Sequence, residues 1–442
     1  MNMIANVTRR LDRMFPGFFA TSTKHDHYKD FGWPDTLTFE QLFRMYTRNG
    51  LAASGVDKTI AKTWQDAPNL WESEEPSESA LESEIRQCFD DLRVWQMLAE
   101  ADKRSMVGKY AGVILRFRDS RSFDQPVARV GGGLKGLAGL IPAWESQLTV
   151  AEWHNDPHGE EYGQPKMFRF SESALGNEST NPRQFMVHPD RVLIWSDDGS
   201  VNCRSALEAG YNDLLDAEKV KGGGAEGFWK TSRGAPVIEA AEGLTPGDVA
   251  KNMGVSVSEV LDEINNQLES FQAGFDKGLM LGGMTAKPLQ ITLPSPEHFF
   301  AGPVQCFAAS ILIPAKILLG SQTGERASTE DANEWNQTCN SRRVNRCLPL
   351  MRELVNRLER VGVLPERDWH IDWADLTEAT AGEKMQRAKD LSAINAQTQP
   401  GDEPAFTPDE IREAAGYDAM SVTGDDDGED DLLPEDEDQT DE

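Results

Sequence analysis

His154 and His158, with Asp156, Glu160 and Glu161 around them, are the residues whose types and spacing come nearest to metal chemistry, since imidazole and carboxylate groups ligate divalent ions well. Pro157 counts against that use, because it breaks the helix that would bring both imidazoles to one face. The stretch WHNDPHGEEYG reads more simply as a solvated polar loop. His25 and His27, flanking Asp26, are a weaker version of the same pattern. The run GGGLKG at residues 131–136 fits GxGxxG, the loop that brings backbone amides to a pyrophosphate. A dinucleotide fold needs a helix opening at the third glycine, and residues 135–142 are too short and too glycine-rich for one. The run is expected to be a flexible turn between strands. No GxxxxGK[ST] run is present, so any ATP-driven work belongs to a partner. With 74 acidic side chains, carboxylate pairs arise by chance throughout the chain, and spacing supports no Ser-His-Asp or Cys-His arrangement. Nothing here demands an enzyme, a metal or another cofactor.

The elements that must position any site belong to a large chain. At 442 residues the prior is two to four folding units. Hydrophobic residues at 39% and charged residues at 27% exclude a collagen, a wholly disordered chain and an integral membrane protein. The formal net charge is −30, and residues 424–442 contribute twelve acidic and no basic side chains to it. The remainder is still acidic and repels phosphate, which argues against a conventional basic-patch nucleic-acid binder. Five cysteines in no CxxC spacing fit a reducing compartment or inert buried thiols. The N-terminus lacks the apolar core of a signal peptide. The most apolar window, residues 299–319, is interrupted by Pro303, Gln305, Pro314 and Lys316 and reads as buried core. Synthesis in the cytoplasm and no membrane association are expected.

Helix starts are marked by capping boxes at Thr38/Gln41, Ser205/Glu208, Ser256/Glu259, Thr380/Glu383 and Thr407/Glu410. After Ser256, the positions Val260, Ile264, Leu268, Phe271 and Phe275 keep a 3.6-residue period, the stripe of a helix of about five turns. After Ser328 a longer period runs through Trp335, Cys339, Cys347, Met351, Leu354 and Leu358, and Pro349 inside it predicts a kink. Between residues 109 and 196 the texture changes to short β-like runs, GVILRFRD, SQLTVAEW, KMFRFS, FMVH and RVLIW. Two weaker β patches follow, GAPVIEAAE and LMLGGMTAKPLQITL. Residues 71–83 read as an acidic polar loop. From about residue 421 the chain has nearly uniform charge and no apolar period, so it is expected to be disordered. The order of signals makes an α+β chain with a helical spine interrupted at residues 233–254.

Residues 311–337, ILIPAKILLGSQTGERASTEDANEWNQ, resemble the portal proteins of tailed double-stranded DNA bacteriophages. A Pro-containing turn, a Leu-Leu-Gly step, a Gly-containing polar loop and a long helix opening with acids carry the likeness. Other stretches resemble the family in order. FEQLFRMYTRNGLAASGVDKTIAKTWQDAPNLW, with Asp57 and Lys58, is similar to the N-terminal helical part; FMVHPDRVLIW, with His188 and Arg191, to the segment closing the β-rich wing; and FTPDEIREAAGY to a late helix. Residues 222–254 depart from anything recognisable in the family.

The resemblance implies a portal-like ring subunit with a β-rich wing, an antiparallel helical stem, a small α/β clip and a helical C-terminal crown. It divides the chain into an N-terminal arm (1–34), wing (35–202), first stem helix (203–232), clip (233–255), second stem helix (256–282), further wing strand and apolar helix (283–319), tunnel loop (320–327), long kinked wing helix with a following strand (328–376), crown helices (377–420) and acidic tail (421–442). Ser321, Gln322, Thr323, Gly324, Glu325 and Arg326 would line the DNA channel. Arg233, Pro236, Val237 and Glu239 would serve docking at the clip. The implied partners are a ring of twelve copies in the virion, double-stranded DNA held transiently, the terminase large subunit, a head-tail adaptor, and the major capsid protein and scaffold, at the portal vertex of the capsid. Two other classes stay open on the residues alone: a metal-dependent hydrolase using the His154/His158 region, and an acidic DNA mimic or adaptor.

Overall fold

The computed structural model describes residues 26–72, 79–175, 182–232, 236–240, 245–273, 284–288, 296–320, 325–377, 381–396 and 404–417. The chain divides into two compact units, residues 1–376 and 377–442. Its mixture of helices and small antiparallel sheets is the expected α+β class.

The first unit opens with α1 (His27–Phe31), α2 (Phe39–Arg48) and α3 (Gly50–Thr63). The Thr38/Gln41 box forms: the Thr38 hydroxyl accepts from Gln41 N–H and the Gln41 side chain accepts from Thr38 N–H. After β1 (Asn69–Trp71) come α4 (Ala80–Asp91) and α5 (Val94–Val107). Residues 71–83 are therefore not loop throughout. Ser79 and Glu82 form a capping box, and Glu82 is buried because its carboxylate accepts the backbone N–H groups of Glu72 at 2.6 Å and Ser79 at 2.7 Å.

The expected strands are present as β2 (Ala111–Phe117), β4 (Leu148–Trp153), β5 (Pro165–Ser171), β6 (Gln184–Val187) and β7 (Val192–Trp195), with β3 (Leu137–Trp144) added between β2 and β4. The sequence reading missed β3 because Gly139 and Pro142 interrupt its apolar pattern. The glycine run ends in a 3-10 turn, Gly133–Gly136, that feeds this strand rather than a helix. Two antiparallel sheets result, with orders β3-β2-β7 and β4-β5-β6.

Strand β2 is covered on both faces, which is why GVILRF reads as a continuous apolar run. Val113 and Leu115 join a core with Phe89, Leu98, Trp195 and Met351, while Ile114 joins Leu148, Phe168 and Val187 of the second sheet. Gly112 is required at the crossing: a Cβ there would lie 2.0 Å from Leu148 Cδ2.

The chain then leaves through α6 (Tyr211–Ser232), β8 (Pro236–Ala240), α7 (Pro246–Met253) and α8 (Val257–Ala273), and returns through β9 (Met284–Pro288) and α9 (Pro296–Ser310). Two expectations change here. Ser205 does not form a box with Glu208; its hydroxyl binds the carbonyls of Met106 and Val107, and the helix starts only at Tyr211. The helix packed along α6 is α9, not the Ser256 helix. A Cβ on Gly210 would meet Ser310 and Phe307, so the start of α6 lies against the end of α9 and the pair is antiparallel. The reason is β8–β9 pairing, which sets Pro236 opposite Pro288 and so brings the outgoing and returning segments together. The Ser256/Glu259 box forms and Val260 is buried; the rest of that expected stripe lies outside the described side chains.

After α10 (Ala315–Leu319), α11 (Glu325–Arg342) runs into a π-helical segment, Arg343–Cys347, and then α12 (Leu348–Val361). The interruption expected at Pro349 takes this form. Proline's ring crowds the carbonyl four residues back, and the wider turn lies where that conflict falls. Cys339, Cys347, Met351, Leu354 and Leu358 are buried as the stripe predicts. The unit closes with β10 (His370–Asp372) against β1.

The second unit contains α13 (Ala381–Ala396) and α14 (Pro408–Ala414), the latter opened by the expected Thr407/Glu410 box. Asn395 ties the helices together, donating to Phe406 O at 2.7 Å and accepting from Phe406 N–H at 2.9 Å. The Thr380/Glu383 box and the acidic tail lie outside the described residues and side chains. Among the described residues no helix is long and apolar enough to cross a membrane.

Candidate functional site

The segment expected to face a channel begins where α10 ends. Gly320 adopts φ +75°, and its N–H returns to the carbonyls of Lys316 and Ile317, closing the helix with a left-handed residue. Lys58 of α3 donates to the carbonyls of Ile317 at 2.5 Å and Leu318 at 3.1 Å, and Ser54 donates to Leu318 O at 3.0 Å. Lys316 also pairs with Asp331 at 3.4 Å, across the segment. The end of α10 is therefore fixed, and α11 is tied back to it in its second turn. Ser321, Gln322, Thr323 and Gly324 lie outside the described residues, whereas Glu325 and Arg326 are in the first turn of α11 rather than in a loop. An acid at a helix start is favoured by the dipole, a local reason for the helix to begin there.

The other end of α11 is fastened by arginines. Asp102 on α5 has no exposed surface, and it accepts from the indole N–H groups of Trp64 and Trp195, each at 3.0 Å, and from Arg342. Arg346 approaches the same carboxylate at 3.6 Å, donates to Ser105 Oγ at 2.6 Å and pairs with Asp197. Burial alone would raise the Asp102 carboxyl, but the two guanidinium groups and two indoles hold it below the ordinary range. The Cys347 thiol, 3.9 Å from Asp102, is pushed up by burial and by that charge. Arg343 points to a different anchor. It donates to Thr63 O at 2.7 Å and Ala374 O at 2.5 Å, pairs with Asp66, and lies 4.4 Å over the Trp373 ring. Sequence reading did not single out these arginines. The available signal was Arg343 four residues from both Cys339 and Cys347, a charge on an otherwise apolar stripe.

The expected docking residues separate in the same way. Pro236, Val237 and Glu239 are on β8, paired with Pro288, Lys287 and Thr285 of β9, while Arg233 lies outside the described residues. His188 caps the 3-10 turn Pro189–Arg191 by accepting from Asp190 N–H at 3.2 Å, and buried Arg191 pairs with Asp119 at 2.5 Å. His154 pairs with Glu161 at 3.2 Å in the turn between β4 and β5. Among the described residues no group of three or more His, Cys, Asp or Glu side chains gathers around a point where a metal could sit, so His158 does not join His154 in a site.

A family model described as phage portal protein matches residues 40–396. Among solved structures, the chain is similar to one in the neck of an empty GTA particle computed with C6 symmetry, with a TM-score of 0.48 and 14% identity over 87% of this chain and 95% of that one. It is similar to another in the virion of the native gene transfer agent particle, with a TM-score of 0.46 and 13% identity over 87% and 95%. A third, in the neck of the native particle computed with C12 symmetry, gives 0.44 and 13% over 86% and 94%. No curated protein matches.

Proposed function

The chain belongs to the phage portal proteins, and on that premise we propose that it assembles as a closed ring, of twelve subunits in the virion, forming the double-stranded DNA channel at one capsid vertex. The family is a structural one, so the chain acts as conduit and platform rather than as a catalyst. The genome passes through the ring during packaging and ejection. The terminase large subunit docks at the narrow end during packaging and a head-tail adaptor takes its place afterwards; the major capsid protein and scaffold meet the outer surface.

The observation that carries this reading is the family match over residues 40–396. Local geometry supports the assignment of parts. The antiparallel pair α6 and α9 suits a stem. The β8–β9 pair with α7 and α8 between its strands suits a clip carrying Arg233, Pro236, Val237 and Glu239. Residues 321–324, entered from the Lys58-anchored Gly320, suit a tunnel loop, with Glu325 and Arg326 at its exit. A subunit charge of −30 suits a channel that must not grip phosphate while DNA slides.

The test is the particle formed by the purified full-length chain. Light scattering at micromolar concentration and moderate salt, with electron micrographs, should give rings of about twelve chains of 49.1 kDa. A monomer under those conditions would overturn the reading. Shortening residues 321–324 should leave the ring assembled and reduce DNA packaging or retention; full packaging by the shortened protein would remove the loop assignment.

A further inference from the structure

Strand β7 lies at the edge of its sheet, with β2 on one side and a cleft of about 470 Å³ on the other. Trp153, Phe168, Val192, Ile194, Val201 and Leu350 give that cleft apolar walls, drawn from both sheets, the loop after β7 and α12. The start of the edge is covered. Val192 N–H is taken by Pro189 O and its carbonyl accepts from Arg357, so the backbone of Val192 faces away from β2. In an antiparallel ladder residues two apart face the same way, so the N–H and C=O of Ile194 point into the cleft, whereas Leu193 and Trp195 bond to β2. An apolar cleft beside an outward backbone donor and acceptor suits an extended segment that adds itself as a strand.

The rim restricts the chemistry of that segment. Asp198 lines the cleft, and the β4–β5 turn, residues 154–164, which contributes Gly163 and Gln164 to the lining, carries Asp156, Glu160 and Glu161 with no Lys or Arg. Glu353 is paired with Arg357 at 2.7 Å, so the surplus charge is negative. Such a rim repels phosphate and acidic peptides and favours a basic, apolar one. Residues 1–25 have that chemistry in a chain of the opposite sign. They hold Arg9, Arg10, Arg13 and Lys24 against the single acid Asp12, and Ile4, Val7 and Thr8 are β-branched residues that favour an extended backbone. They lie outside the described residues and join the chain at α1, which is fastened to α6 where Trp33 Nε1–H donates to Asp216 at 3.0 Å. Twenty-five residues reach about 80 Å when extended. A unit of residues 1–376 has an expected radius of gyration of about 21 Å, so reach does not limit the docking.

We propose that the N-terminal segment of this chain, residues 1–25, docks in the cleft at the outer edge of β7, with Ile4 to Thr8 extended beside Ile194 and Arg9 and Arg10 on the acidic rim. The inference goes beyond the channel reading and does not rest on it. Backbone bonds to Ile194 fix the register, the apolar walls supply affinity, and the arginines select this segment over an acidic one. The covalent link adds a high effective concentration, so modest contacts suffice to keep the cleft filled.

The experiment is amide hydrogen exchange on the full-length chain, resolved at Leu193, Ile194 and Trp195. In the wild type the Ile194 amide should exchange about tenfold or more slowly than in Ile4→Asp with Val7→Asp. Leu193 and Trp195, bonded to β2, should keep their rates in both and so report an intact sheet. Arg9→Glu with Arg10→Glu should also quicken Ile194. Adding Glu160→Lys with Glu161→Lys to that variant should slow it again, because the charges are exchanged and their match is kept. A fast Ile194 amide in the wild type overturns the proposal, since the cleft is then empty. A slow amide that stays slow in Ile4→Asp with Val7→Asp overturns it too, because another copy or another element then covers the edge. If the charge exchange restores nothing, the arginines do not meet this rim and the placement fails.

Discussion

Asp102 is an ionised carboxylate with no access to water, held by four side chains from three separate parts of the chain: Trp64, Trp195, and the neighbouring Arg342 and Arg346. Removing one partner from a buried ion pair strands the other charge, at a cost of about 3–5 kcal/mol. Asp102→Asn should therefore lower stability by that order in urea unfolding, although its volume is unchanged. The pH dependence follows from the direction of the shift. The folded carboxyl is held below its ordinary value, so its contribution is present above about pH 4 and is lost as pH falls through the lower folded value. The variant should show a shallower loss of stability in that acid window; an unchanged slope would mean that Asp102 does not ionise as argued. Leu312 presents the opposite case. It holds φ +58° while its side chain is 68% exposed, so it carries left-handed strain without burial to offset it. Leu312→Gly should raise stability by about 0.5–1 kcal/mol in the isolated chain. A lower melting temperature would contradict the strain.

At the scale of elements, the long helix is fixed at both ends of its first half. Arg342, Arg343 and Arg346 hold the π segment to α5, to the end of α3 and to the strand region near Trp373. Pro349 removes the amide that would continue an unbroken ladder, and the arginines fix which way the wider turn faces. The short helix that precedes it, α10, is held at its end by Lys58, whose ammonium binds the last carbonyls of α10. Lys58→Met keeps the aliphatic stem and removes those bonds, which should cost about 1.5–3 kcal/mol. Hydrogen exchange in a peptide covering residues 315–331 should quicken. Exchange at the wild-type rate would show that the segment is held by something else.

For the whole molecule, charge would oppose the proposed assembly. Residues 424–442 place twelve acids on every subunit. In a ring these charges repel, and salt screens them over about 10 Å at 0.1 M. Deleting residues 424–442 should leave ring formation intact at moderate salt and make closure less sensitive to low salt. Failure of the truncated chain to assemble would assign the tail a packing role. For the proposed DNA conduit, a strongly negative subunit would serve the same end, because transient passage requires weak contact with phosphate.

Signals confined to a few residues were legible from the sequence. The capping boxes at Thr38, Ser256 and Thr407 need only side chains three positions apart, and all three form. GVILRF could be read as a strand because both faces are covered, and the stripe from Cys339 to Leu358 because one helical face packs against a core. The family resemblance over the loop and long helix was carried by the same kind of local pattern, and the family match confirms it. Choices of partner were not legible. Asp102 and Arg342 are 240 positions apart, and among 74 acids nothing local marks Asp102 as the buried one. The pairing of α6 with α9 rather than α8 was likewise hidden, because all three are helices of similar signal. Only the register of β8 against β9, setting residue 236 opposite residue 288, decides which helix returns alongside α6.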